Sequence, residues 1–99
     1  MVDFKFAFEK YVRHNEKQHL DYVEQVQGYM KALQMPMTDA QKAKVYESYA
    51  KFNGNVREFA LAAEYYLMAA NVKKSVEGET EDYIQLVYKT AVYDYLGKQ

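Results

Sequence analysis

An all-α domain of four helices, bundle-like with one long N-terminal helix, is the fold this sequence predicts. Three observations carry the expectation. Apolar residues recur at helical spacing through four segments. Each break between segments holds residues that stop or cap a helix. One proline and four isolated glycines in 99 residues leave room for little but regular structure. A chain of this length fits a single domain, so residues 1–99 are read as one helical unit.

The first helix is expected over about 3–33. At 100° per residue, Phe4, Phe8, Tyr11, Val12, Tyr22, Val23, Val26, Tyr29, Met30 and Leu33 fall within about a third of the circumference. Gly28 weakens the helix locally, and Met35-Pro36 ends it, because the residue before proline is pushed out of the right-handed helical region. Thr38-Asp39-Ala40-Gln41 is a capping-box pattern that opens a second helix over 39–52, with Val45, Tyr46, Tyr49, Ala50 and Phe52 on its apolar side. Asn53-Gly54-Asn55 is expected to stop it. Gly54 can supply a left-handed residue, and Asn55 can cap the next helix with Glu58 as its box partner.

The third helix is expected over 56–74 and the fourth over 81–96. Between them, Ser75 to Thr80 contains Gly78 and reads as a loop. Thr80 is a natural cap, followed by Glu81 and Asp82, where the helix dipole favours acids; Gly97 closes the chain's last helix.

These helices differ in length. The first would be ~45 Å long and the others ~20–28 Å. Either two short helices line up end to end along it, or another subunit covers the overhang.

The third and fourth helices are apolar on two sides. On the third, Val56, Phe59, Ala60, Ala63, Tyr66, Leu67 and Ala70 form one stripe, and Leu61, Tyr65, Met68 and Val72 a second. On the fourth, Ile84, Val87, Tyr88, Ala91, Val92 and Tyr95 form the main stripe, with Leu86 and Tyr93 on the other side near Tyr83. A helix apolar on two sides is either central in its domain or shared with a neighbour. In so small a protein two such helices point to burial between chains, so a homo-oligomer is expected. Leu61, Tyr65, Met68, Val72, Leu86 and Tyr93 are its candidate partner-binding residues. The alanines at 60, 62, 63, 69 and 70 would admit a close helix.

Eleven tyrosines and no tryptophan fit a protein of half-buried surfaces and interfaces, since tyrosine joins a large apolar body to a polar tip. Asn15 and His19 interrupt the apolar stripe of the first helix one turn apart and are read as a buried polar pair, which at a helix seam can specify register.

Chemistry is hard to find. His14 and His19 point about 140° apart on a helix and no third histidine exists, so no metal site is expected. The absence of cysteine removes disulfides, thiolate ligands and a thiol nucleophile. The glycines at 28, 54, 78 and 97 are too scattered for a phosphate loop, and no Gly-x-Ser-x-Gly element occurs. Glu77, Glu79, Glu81 and Asp82 lack the spacing of a calcium loop and read as a solvated helix start. No cofactor and no enzyme activity are expected.

A formal charge of −1 exerts no general pull on nucleic acid or anionic membrane. Residues 1–8 hold no secretory apolar stretch, and no apolar run approaches the ~20 residues that span a bilayer, so a cytoplasmic protein with no membrane partner is expected. The leading expectation is a non-enzymatic accessory regulator or inhibitor, of the build often met among phage proteins. It would present tyrosine-rich and apolar surface to a protein, or hold a small ligand at a subunit boundary.

A second expectation is DNA binding. The segment Met37-Thr-Asp-Ala-Gln41, then Tyr49, then Gly54-Asn55-Val-Arg-Glu-Phe-Ala-Leu-Ala-Ala63 resembles the N-terminal helix-turn-helix of phage terminase small subunits over about 29 residues. Glu64 departs from that pattern, standing where a tight-turn glycine is expected. The resemblance implies a helix-turn-helix built on helices 39–52 and 56–74. Lys42, Lys44, Arg57, Lys73 and Lys74 are the basic residues there that could meet phosphates.

Overall fold

The computed structural model describes residues 22–99. Four helices follow one another: α1 (Tyr22–Leu33), α2 (Asp39–Asn55), α3 (Phe59–Glu77) and α4 (Glu81–Gly97), with no strand among the described residues. The expected long first helix is therefore described only over its last 12 residues. Its residues 3–21, with Asn15 and His19, lie outside the described residues.

Local chemistry explains the helix starts. At α2 the capping box forms in both directions: Thr38 Oγ1 accepts from Gln41 N–H at 3.2 Å, and Gln41 Oε1 accepts from Thr38 N–H at 2.9 Å. At α4 the Thr80 hydroxyl accepts from Tyr83 N–H at 3.4 Å, with Glu81 and Asp82 in the first turn.

The α2–α3 junction departs from expectation. Helix α2 continues through Asn53-Gly54-Asn55, and α3 starts at Phe59 behind Glu58, which makes no side-chain capping bond. Asn55, being inside α2, does not cap α3. The left-handed step falls on Arg57, at φ 65°, and not on Gly54. Asn53, in the last turn of α2, is turned inward. Its side chain is wholly buried, with Nδ2 donating to the Tyr49 carbonyl at 2.8 Å and Oδ1 without a hydrogen-bond partner among the described residues, while its main-chain carbonyl accepts from Glu58 N–H at 2.8 Å. Gly54 serves a different purpose from the expected one: a Cβ there would lie 2.8 Å from the Tyr93 ring, so the missing side chain makes room for α4. At its other end α3 runs to Glu77, and Gly78, at φ 81°, turns the chain with its N–H on the Lys74 carbonyl.

Helix α3 packs along α2 on one side and α4 on the other, while α1 lies against α2. Two cores result. The first, between α1 and α2, joins Tyr29, Ala32, Val45, Tyr49 and Phe52. Its rings meet at centroid distances of 5.0 Å (Tyr29–Tyr49) and 5.4 Å (Tyr29–Phe52). The second joins Ala50, Tyr66, Ala69, Ala70 and Leu86. Tyr65 packs against both and meets the Tyr49 ring edge-on at 4.6 Å. The α3 alanines 62, 63, 69 and 70 are buried within the chain and allow its own helices this close approach. Helix α3 is thus central in its own domain, which is the first of the two readings open for a helix apolar on two sides.

Candidate functional site

Helix α4 carries the surface of most interest. Its inward side is built from Leu86, Tyr83, Thr90, Tyr93 and Gly97. Leu86 is only 3% exposed and sits among Ala50, Tyr66, Ala69 and Ala70. Tyr93 stacks on Tyr66 at 5.5 Å and on Phe59 at 6.0 Å. The Thr90 hydroxyl donates to the Leu86 carbonyl at 2.8 Å, so this side buries no unpaired hydroxyl. Gly97 ends the helix beside α3, where a Cβ would stand 3.4 Å from the Ala60 nitrogen, at about ordinary contact.

This packing fixes the direction of the other side. Ile84, Val87, Tyr88, Ala91 and Tyr95 lie within about 100° of one another around the helix, opposite Leu86 and Tyr93. Ile84 is 60% exposed, Tyr88 69% and Tyr95 64%. Val87 and Ala91 are exposed as well. The larger apolar stripe of α4 therefore faces outward and the smaller one inward, the reverse of the sequence expectation. Leu86 is buried by intramolecular packing, and Tyr93, half-buried, is held in the stack with Tyr66 and Phe59.

The remaining partner-binding candidates are also partly covered. Leu61, Tyr65, Met68 and Val72 are all half-buried along α3. Tyr65 lies between Tyr46 and Tyr49, and burial, followed by Tyr49, raises its phenol above the usual value. Tyr66, deeper in the second core, is pushed up to about 12, mainly by burial and then by Tyr93 and Glu47. Met68 and Val72 line a groove of about 360 Å³ with Asp39, Lys42, Tyr46 and Asn71. The structure thus brings Met68 and Val72 to an open groove and assigns Tyr65, Leu86 and Tyr93 to the interior packing.

The basic residues converge only in part. Lys44 and Lys73 share a groove of about 260 Å³ with Glu47, Asp82 and Lys89. Lys73 pairs with Glu77 at 3.6 Å and Asp82 at 3.7 Å, and Lys74 with Glu79 at 3.3 Å. Lys42 lies on the other groove, and Arg57 precedes the opposite end of α3 from Lys73 and Lys74. Helix α3 runs unbroken through Glu64, so no turn separates a recognition helix after Ala63. Among the described residues no group of three or more His, Cys, Asp or Glu could hold a metal ion, and no helix is long and apolar enough to cross a membrane.

The outward stripe was legible as a stripe. Ile84, Tyr88, Ala91 and Tyr95 recur at intervals of four, three and four, the spacing of a helix seam. Only its direction required the tertiary packing. No protein-family model, curated protein or solved structure matches the chain.

Proposed function

We propose that this chain is a non-enzymatic helical interaction protein, an accessory regulator or inhibitor whose binding surface is the outward face of α4. The observation that supports this reading is the direction of the Ile84–Tyr95 stripe. A helix whose larger apolar side points away from the core gains nothing from that side in its packing against the other described helices. Exposed apolar area on the order of several hundred Å² rimmed by polar residues is the usual mark of a binding surface. Its two tyrosines, Tyr88 and Tyr95, suit one, because they contribute area at low conformational cost and keep a hydroxyl for the rim.

The test is differential capture. Full-length chain is immobilised in extract of its native host beside the Ile84→Glu/Tyr88→Glu variant and a control altered on the α2 surface, Lys51→Glu. A protein retained by wild type and control and lost by the α4 variant is the expected result. Equal retention on all three baits sinks the reading.

A further inference from the structure

We propose that the outward face of α4 pairs with the same face of a second copy of this chain, the two α4 helices running antiparallel; this rests on the reading of that face as a binding surface. Three features of the face specify the occupant.

The first is side-chain size. When two copies of α4 run antiparallel about a two-fold axis centred between Tyr88 and Ala91, each residue faces one whose number completes the same sum. Tyr88 then meets the partner's Ala91, and Ile84 meets the partner's Tyr95. The bulkiest side chain at the centre faces the smallest, as interdigitation of helix seams requires. In a parallel pairing Tyr88 would face Tyr88 and Ala91 would face Ala91, crowding one layer and leaving a void in the other.

The second is charge. The same register brings Glu81, one turn before Ile84, opposite the partner's Lys98, one turn after Tyr95. Both ends of the seam thus close on an acid–base pair. Among the described residues Lys98 pairs with Asp94, at 3.2 Å, an exposed pair of little energetic weight that leaves the ammonium able to meet a second carboxylate. Parallel helices would set Glu81 on Glu81 and Lys98 on Lys98.

The third is area. Aromatic side chains bury ~150–250 Å² each. With Tyr88 and Tyr95 about two-thirds exposed, and Ile84, Val87 and Ala91 added, the face offers on the order of 500 Å² per copy. Two copies together reach the ~1,000 Å² at which specific interfaces begin. An interface at this threshold fits weak, concentration-dependent self-association.

Light scattering and sedimentation on the full-length chain across micromolar concentrations test the pairing. Wild type is expected to dimerise with concentration, and Ile84→Glu/Tyr88→Glu to stay a monomer of unchanged helicity. Glu81→Lys alone and Lys98→Glu alone each replace two attractions by two repulsions, weakening the dimer about tenfold. The double exchange restores it. Because the chain has no cysteine, the Glu81→Cys/Lys98→Cys variant gives an unambiguous readout. The two sites are ~25 Å apart along one helix and cannot bridge within a copy. Oxidation is therefore expected to yield a covalent dimer from the double variant and none from either single one.

A wild-type chain that remains a monomer overturns the proposal, as does a Glu81→Cys variant that cross-links to itself, which marks parallel helices. Cross-links joining residues 84–95 to residues 1–21 of the same copy assign the face to the chain's own N-terminal segment and also overturn it. A monomer whose capture of a host protein is still abolished by Ile84→Glu/Tyr88→Glu loses the self-pairing but keeps the proposed function. A variant with no effect in either assay removes both.

Discussion

Replacing Gly54 by alanine sets two effects of similar size against each other, and the structure decides the sign. Inside a helix, glycine is about 1 kcal/mol worse than alanine, so the substitution by itself stabilises α2 by up to that amount, less in its last turn. The new Cβ, however, lies 2.8 Å from Cε1 and Oη of Tyr93 and 2.9 Å from Cζ. Carbon atoms rest ~3.5–4.0 Å apart, so the ring must withdraw by roughly 1 Å. It is stacked on Phe59 and on the buried Tyr66, and withdrawing it loosens the second core. Overpacking of this kind costs about 1–3 kcal/mol, which exceeds the propensity gain. Gly54→Ala should therefore lose about 1 kcal/mol, a drop of ~4–8 °C in the thermal midpoint of a domain this size, followed by circular dichroism. In a Tyr93→Ala background the obstruction is gone and the same substitution should raise the midpoint. If Gly54→Ala lowers it equally in both backgrounds, the glycine serves its own backbone and the argument from Tyr93 is wrong.

Leu86→Ala removes the only leucine of the second core and should cost ~2–5 kcal/mol in denaturant unfolding, whereas Ile84→Ala, on the outward side, should stay within about 0.5 kcal/mol in the monomer. Thr38→Ala removes the hydroxyl that accepts from Gln41 N–H, leaving only the backbone half of the capping box, and should cost about 1 kcal/mol, with Thr38→Ser retaining most of it. Tyr66 ionises at about 12 in the folded chain against 10.0 as a free phenol, so above pH 10 the unfolded state sheds its proton first. Its contribution is full below pH 10 and is lost as pH rises toward 12. The denaturant midpoint should fall through that window, and Tyr66→Phe should reduce the fall; an unchanged slope would mean the phenol is not buried as described.

Much of this architecture was legible in the residues themselves. The starts of α2 and α4 rest on local hydrogen bonds from Thr38, Gln41 and Thr80, which need no tertiary contact, and both begin where the sequence places them. The membership of each apolar stripe was equally local, because 3.6 residues per turn decides which side chains share a face. The end of α2 was not legible. Asn53-Gly54-Asn55 has the composition of a stop, yet Asn53 is drawn into the interior and Gly54 yields space to a ring 39 positions away in the chain.

The amino-acid sequence by itself determined that there are helices, roughly where they lie, and which residues travel together on each side of them. The tertiary structure alone decided which side of α4 turns inward. Periodicity defines a face but carries no record of its neighbour. The alanines of α3, the stack of Tyr93 on Tyr66 and the close approach at Gly97 and Gly54 form a surface that Leu86 and Tyr93 fit. The larger set, Ile84, Tyr88 and Tyr95, is left facing outward, because burial follows shape complementarity as well as apolar area.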